Sequence, residues 1–170
     1  VMLVLGIVGA MLFGVGRLYA EQSVPDLDAL RAGQDPSLGL ATVVYTADGA
    51  ELTRYYRENR VWVAHQKVSS NVIDALIATE DHRFYRHRGV DFVRLVSSVW
   101  KTLGGDRQGG STITMQLSRN LFADIRAAPL LERKVREWIA AFKIERAYAK
   151  PQILEMYLNT VPFGYEAFGI

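Results

Sequence analysis

The chain has 170 residues, a net charge of +2 and no cysteine. That length allows one domain with a real core. It excludes a disulfide framework and a cysteine-based metal site, and the basic residues form no single block, which argues against a nucleic-acid partner.

Val1 to Gly16 is uncharged and almost wholly apolar, and Arg17 ends it. A spanning helix needs about 20 apolar residues, so residues 1–20 read as an N-terminally incomplete membrane anchor. A cleaved signal peptide is the rival reading, but Leu18-Tyr19-Ala20 places Leu where cleavage prefers a small residue. Residues 21–40 are polar, with Pro25 and Pro36, and read as a linker containing one helical turn. Residues 41–65 read as a β-hairpin with an extended tail: Thr42 to Thr46 and Leu52 to Tyr56 flank an Asp48-Gly49 turn, and Arg60 to Val63 follow.

Residues 66–170 carry five predicted helices. In the first, Ser69 to Asp81, Val72, Ile73, Leu76 and Ile77 recur at helical spacing, and Asn71 with Asp74 reads as a capping pair. Glu80 continues the apolar stripe and is expected to point inward. Burial and the negative helix end both disfavour its charged form, which suits a general base. A buried salt bridge from Glu80 or Asp81 to a neighbouring arginine explains the same pattern. Asp91 caps the second helix, with Phe92, Leu95, Val96, Val99 and Leu103 as its buried stripe and Gly104-Gly105 as its stop. Gly104 to Gly110 is a flexible segment. The third helix starts at Ser111, with Ile113, Leu117 and Leu121 toward the core and Thr112, Gln116 and Asn120 as a polar stripe. Leu131 to Tyr148 is the fourth, with Leu131, Val135, Trp138, Ile139 and Phe142 predicted inside. Lys150-Pro151 opens the fifth, which ends at Asn159 before a turn over Val161 to Tyr165.

Four segments stand together in this order: Glu80-Asp81-x-x-Phe84-x-x-His87-x-Gly89, Gly109-Gly110-Ser111-Thr112-Ile113-Thr114-Met115-Gln116, Arg133-Lys134-x-x-Glu137, and Ile153-Leu154-Glu155-x-Tyr157-Leu158-Asn159. They resemble the motifs of the peptidoglycan glycosyltransferases, the module of class A penicillin-binding proteins and of monofunctional transglycosylases. The resemblance covers roughly Thr42 to Ile170. Met115 departs from it, since the family usually has Gln-Gln at Met115-Gln116, and the family's fifth motif has no counterpart before Ile170.

The resemblance implies a mainly α, lysozyme-like helical domain preceded by a membrane anchor and a short β-hairpin. It implies polymerisation of lipid II into β-1,4-linked glycan with inversion and release of polyprenyl diphosphate. Glu80 matches the catalytic base and Glu137 the second essential glutamate. Glu137 either holds a divalent cation (Mg2+ or Mn2+) or orients Lys134 and Arg133 against the diphosphate; no organic cofactor is expected. Lys134 is expected on the leaving group, with Arg133 orienting a carboxylate such as Glu137. Ser111, Thr112 and Gln116 match the donor-side polar wall, Thr112 and the helix start favouring an anion. Asp81, Phe84 and His87 belong to the same substrate site, and Glu155, Tyr157 and Asn159 brace the cleft. The expected partners are lipid II, the growing lipid-linked glycan, the membrane and other cell-wall synthesis proteins, with no nucleic acid. The expected location is the bacterial cytoplasmic membrane, single-pass, with the domain on the extracytoplasmic side and the stretch from Trp100 to Gly110 dipping into the bilayer. A lysozyme-like hydrolase and an inactive glycan-binding module are the alternatives.

Overall fold

The computed structural model describes residues 13–32, 42–55, 62–103, 109–164 and 167–168. Helices dominate, in the order α1 (13–21), α2 (Leu27–Arg31), α3 (Ser70–Glu80), α4 (Phe92–Leu103), α5 (Ile113–Leu121), α6 (Ala123–Ala127), α7 (Leu130–Ala147) and α8 (Lys150–Thr160). Strands β1 (Thr42–Tyr45) and β2 (Glu51–Tyr55) form an antiparallel hairpin that pairs Val43 with Arg54 and Val44 with Thr53. Gly49 turns it at φ +83°, in the left-handed region that favours glycine. Strands β3 (Pro162–Gly164) and β4 (Ala167–Phe168) pair antiparallel after α8. A β-pair therefore stands where a simple turn was predicted after Asn159, and α8 runs one residue further, to Thr160.

The central helix is α5, which packs against α6, α7 and α8. Its inward residues Ile113, Leu117 and Leu121 meet Phe84, Ile144 and Leu154 in the main core. The stretch Ile153 to Thr160 of α8 is buried throughout, so this helix is a wall of the core rather than a surface element. The loop after α3 seats directly on α7. Gly89 has φ +91°, and a Cβ there would stand 2.8 Å from the backbone carbon of Ala141. Only glycine fits both the dihedral and the approach.

Four local expectations are corrected. Ser69, not Asn71, is the N-cap of α3, and it makes no side-chain cap bond. The short helix α6 is additional. Of the predicted core stripe of α4, Phe92 (57%) and Val96 (59%) are exposed and Leu95 is half-buried, while the side chains of Val99 and Leu103 lie outside the described residues. Trp100, beside the stripe, is 72% accessible, and among the described residues no other element packs broadly against this helix. Periodicity identifies an apolar face but not what covers it. In α7 the inward face is Glu137, Ile139, Ala140, Ala141 and Ile144, while Leu131 is 83% exposed and Phe142 is also out. Gly89 approaches the α7 backbone at Ala141 and Phe142, so the face carrying Ala140 and Ala141 turns inward and Phe142 turns out.

The Gly104-Gly105 stop, residues 1–12 of the predicted anchor, residues 33–40 of the linker and Tyr165 lie outside the described residues. Among the described residues no helix is long and apolar enough to cross a membrane.

Candidate active site

Glu80 is the last residue of α3 and is half-buried. Its backbone carbonyl accepts a hydrogen bond from the guanidinium of Arg94, which also donates to the carbonyl of Gly109 at 3.2 Å. Its carboxylate accepts the Nε2 of Gln116 at 2.8 Å. The Oε1 of Gln116 accepts the hydroxyl of Tyr157 at 3.0 Å. Burial pushes the Tyr157 hydroxyl up to about 12; the charge of Glu80 adds to the rise and that of Arg119 opposes it. The phenol thus stays a donor at any physiological pH, and it fixes the Gln116 amide with its NH2 toward Glu80.

The next residue has a different environment. Asp81 is fully buried. Its carboxylate lies 3.0 and 3.1 Å from the Nε2 of His87 and accepts the backbone N–H of Ile113 at 3.1 Å, with Arg94 at 3.9 Å. It therefore meets the first turn of α5, where a negative charge is favoured. The anion expected at that helix start is supplied by the chain itself. Asp81 and His87 hold loop to helix, and neither presents its bonding atoms to a ligand. Phe84 is likewise core, with Lys150 Nζ 4.1 Å above its ring.

Thr112 is the N-cap of α5 and wholly buried. Its hydroxyl accepts from the N–H of Met115 at 3.2 Å and donates to the carbonyl of Gly89. Capping accounts for its polarity, so it is removed from the proposed anion wall. Met115 is 1% exposed and packs with Val90 and Ala141. A methionine at this position fills an apolar cluster and faces away from Glu80.

Glu137 is buried among cations. Lys134 Nζ lies 2.7 Å from its Oε2 and also donates to Ser111 Oγ at 3.0 Å. Arg133 Nε and Arg119 NH1 stand 3.7 and 3.8 Å from Oε1, an oxygen that accepts no hydrogen bond. The facing expected for the two α7 cations is thus reversed: Lys134, three residues before Glu137, binds the carboxylate, and Arg133 is held more loosely. Three cations against one carboxylate leave the cluster positive, which suits a departing diphosphate. It does not suit Mg2+ or Mn2+, because both carboxylate oxygens already face positive groups. Among the described residues no group of three or more His, Asp or Glu is placed to hold a metal ion.

Glu155 and Asn159 sit on the far side of α8. Glu155 accepts from Arg31 Nε at 2.7 Å, Trp62 Nε1 at 2.8 Å and the N–H of His65 at 3.0 Å. Asn159 bonds both backbone groups of Val63 at 2.8 Å. Together they strap residues 62–65 and α2 onto the core. Burial pushes the Glu155 carboxyl up, but these hydrogen bonds outweigh it and hold the group below the usual carboxylate range.

Ser111, Gln116 and Arg119 all reach from α5 or its start toward the two glutamates. Gln116 and Arg119 are one helical turn apart, so Glu80 and Glu137 flank the same short stretch of α5. Sequence reasoning passed over Arg119, although its spacing from Gln116 was a usable signal. It also passed over Arg94, a charged residue interrupting the apolar run of α4.

Comparison with known proteins decides the family. A family model described as Transglycosylase matches residues 48–170. The chain belongs to the transglycosylase family. Within that family it is 38% identical over 167 residues to penicillin-binding protein 1A of Escherichia coli (strain K12), covering 94% of this chain and 19% of that protein. It is 37% identical over 171 residues to penicillin-binding protein 1A of Aquifex aeolicus, covering 98% and 23%. Penicillin-binding protein 1F of Bacillus subtilis is 39% identical over 135 residues, covering 78% and 19%. This transglycosylase chain spans about a fifth of the length of the curated relatives it matches. The matched region contains all four motif segments and both glutamates.

Proposed function

We propose that the domain is a peptidoglycan glycosyltransferase of bacterial cell-wall synthesis, polymerising lipid II on a lysozyme-like helical scaffold formed chiefly by residues 66–170. The supporting observation is the pairing of two unlike centres across one turn of α5: a carboxylate held by an amide at Glu80, and a positive cluster around Glu137.

Glu80 Oε1 takes the proton from the 4-hydroxyl of the acceptor sugar as that oxygen attacks the anomeric carbon of the donor. The bond from that carbon to the diphosphate breaks on the opposite face, so configuration inverts. Lys134, with Arg133 and Arg119, stabilises the charge that builds on the polyprenyl diphosphate. Glu137 keeps the cations in place and prevents their mutual repulsion from spreading them. Cleavage of a finished glycan has no diphosphate to neutralise, so the cluster favours transfer over a lysozyme-like hydrolysis.

Residues 1–20 act as the membrane anchor, with the domain outside the cytoplasmic membrane. The exposed face of α4, Phe92, Val93, Val96 and Trp100, forms a second contact with the bilayer that delivers the lipid substrate. Incubation with labelled lipid II separates the readings. Polymer supports the proposal, glycan fragments from mature peptidoglycan indicate the hydrolase, and neither product indicates a binding module.

A further inference from the structure

One wide cleft lies away from both glutamates. It encloses about 750 Å3 between the end of α1, the loop over Tyr85 to Arg88, the last turns of α7 and the start of α8. On α7 it begins at Phe142 and reaches Arg146, nine residues beyond Glu137 and thus about 13 Å further along the helix at 1.5 Å per residue. Three arginines line it: Arg86, Arg88 and Arg146. All three are exposed, and among the described residues none makes an ion pair. Its one carboxylate, Glu145, is already paired with Lys150 Nζ at 2.7 Å and accepts the hydroxyl of Thr114 at 2.7 Å. The excess charge of the cleft is therefore positive and available.

Its other wall is aromatic and leads to the apolar face of α4. Phe142 and the two loop arginines also line a smaller cleft of about 290 Å3 that contains Phe92 and Val93. Phe92 and Phe142 stack with centroids 6.5 Å apart. Cationic groups thus give way, within one continuous surface, to exposed rings and valine. Lys143, packed over Tyr19 at 4.2 Å and bonded to its carbonyl, fixes the end of α1 at the same edge.

We propose that this surface binds a resident anionic phospholipid: the head-group phosphate on Arg86, Arg88 and Arg146, an acyl chain across Phe142 and Phe92. Guanidinium forks match phosphate oxygens in pairs. A free phosphate would use the arginines but gain nothing from the adjoining apolar track, whereas an amphiphile uses both. The inference rests on α4 contacting the bilayer, and it adds a head-group preference that the contact alone does not supply.

The test titrates the detergent-solubilised full chain with dihexanoyl phosphatidylglycerol, dihexanoyl phosphatidylcholine and glycerol 1-phosphate, read by calorimetry. The chains of the two lipids are identical, so only the head group differs. Phosphatidylglycerol is expected to bind at least tenfold more tightly than phosphatidylcholine. It is also expected to bind at least tenfold more tightly than glycerol 1-phosphate. R86Q/R88Q/R146Q should abolish the preference at unchanged melting temperature, whereas K67Q/R126Q, which removes two exposed basic residues elsewhere, should preserve it. F92S/F142S should weaken both lipids alike. Equal affinity for the two lipids, or a preference that survives the triple substitution, overturns the proposal while leaving α4 as a membrane contact. Glycerol 1-phosphate binding as tightly as the lipid overturns it in favour of a soluble anion. Failure of F92S/F142S to affect either lipid removes the apolar track and the α4 reading with it.

Discussion

Gln116 donates its amide to the carboxylate of Glu80 at 2.8 Å, and Tyr157 holds the other end of that amide at 3.0 Å. The chain of bonds holds Oε2 of Glu80 and leaves Oε1 outside it. Tyr157→Phe removes the donor that fixes the amide, so Gln116 can turn its oxygen toward Glu80. Polymerisation should fall about tenfold while stability changes by about 1 kcal/mol, the net value of one hydrogen bond. Initial rates on lipid II and a thermal melt check this. A rate equal to wild type means that Tyr157 does not set the amide.

Glu80→Gln keeps the shape of the side chain and can still accept from Gln116, so the melting temperature should hold. It cannot take a proton. The polymerisation rate should drop by roughly 10²–10⁴-fold, the usual worth of a general base. Retention of more than about a tenth of the rate would remove Glu80 from that role.

Lys134 and Arg133 are neighbours with different attachments to Glu137. Lys134→Ala leaves a buried carboxylate without its 2.7 Å partner, so activity and stability should both fall, stability by about 1.5–3 kcal/mol. Arg133→Ala loses only a loose contact at 3.7 Å and should lower the rate with little effect on the melt. Chemical denaturation of both variants, with rates on the same substrate, compares them. A destabilised Arg133→Ala beside a stable Lys134→Ala would contradict the geometry.

The architecture was largely legible in the residues. The helices α3, α5, α7 and α8 and the β1–β2 hairpin follow from periodicity and turn chemistry. Less legible was the direction of each polar group. Thr112 was read as a ligand donor because capping and anion binding use the same residue type at the same place. Asp81 was read with Glu80 because adjacency along the chain hides opposite directions in space. Phe92 and Val96 of α4 read as core because an exposed apolar face and a core-facing one have the same period. Arg119 and Arg94 carry a local signal, a one-turn spacing from Gln116 and a charge within an apolar run, but the partners they reach depend on helix packing.

Glu155 has a carboxyl held below its usual range, so its contribution to stability is present above its unfolded value, near 4.5, and is lost as pH falls through the lower folded value. Glu155→Gln should melt well below wild type at pH 7, and the gap should narrow in acid. Melts from pH 3 to pH 7 test the sign. A gap that widens in acid would show the coupling to be misassigned.

Deletion of residues 1–16 should release the protein from membranes only in part, because the exposed face of α4 remains. Replacing Phe92, Val96 and Trp100 by Ser in the deleted form should complete the release. Fractionation without detergent at ordinary and high salt reads both steps, and a deletion variant that is wholly soluble would leave α4 without a bilayer role.

Glu80 and Asp81 are joined by a single peptide unit, with about 3.8 Å between successive Cα atoms. One carboxylate carries the proposed proton transfer, and the other is clamped to Ile113 and His87 inside the protein. The reacting group is therefore anchored like the tip of a short lever whose pivot is the neighbouring residue. Any slippage of α5 against α3 is transmitted to the proton acceptor almost without loss. Damage at Asp81, His87 or Gly89 would thus appear first as misalignment of the chemistry, before the core itself gives way.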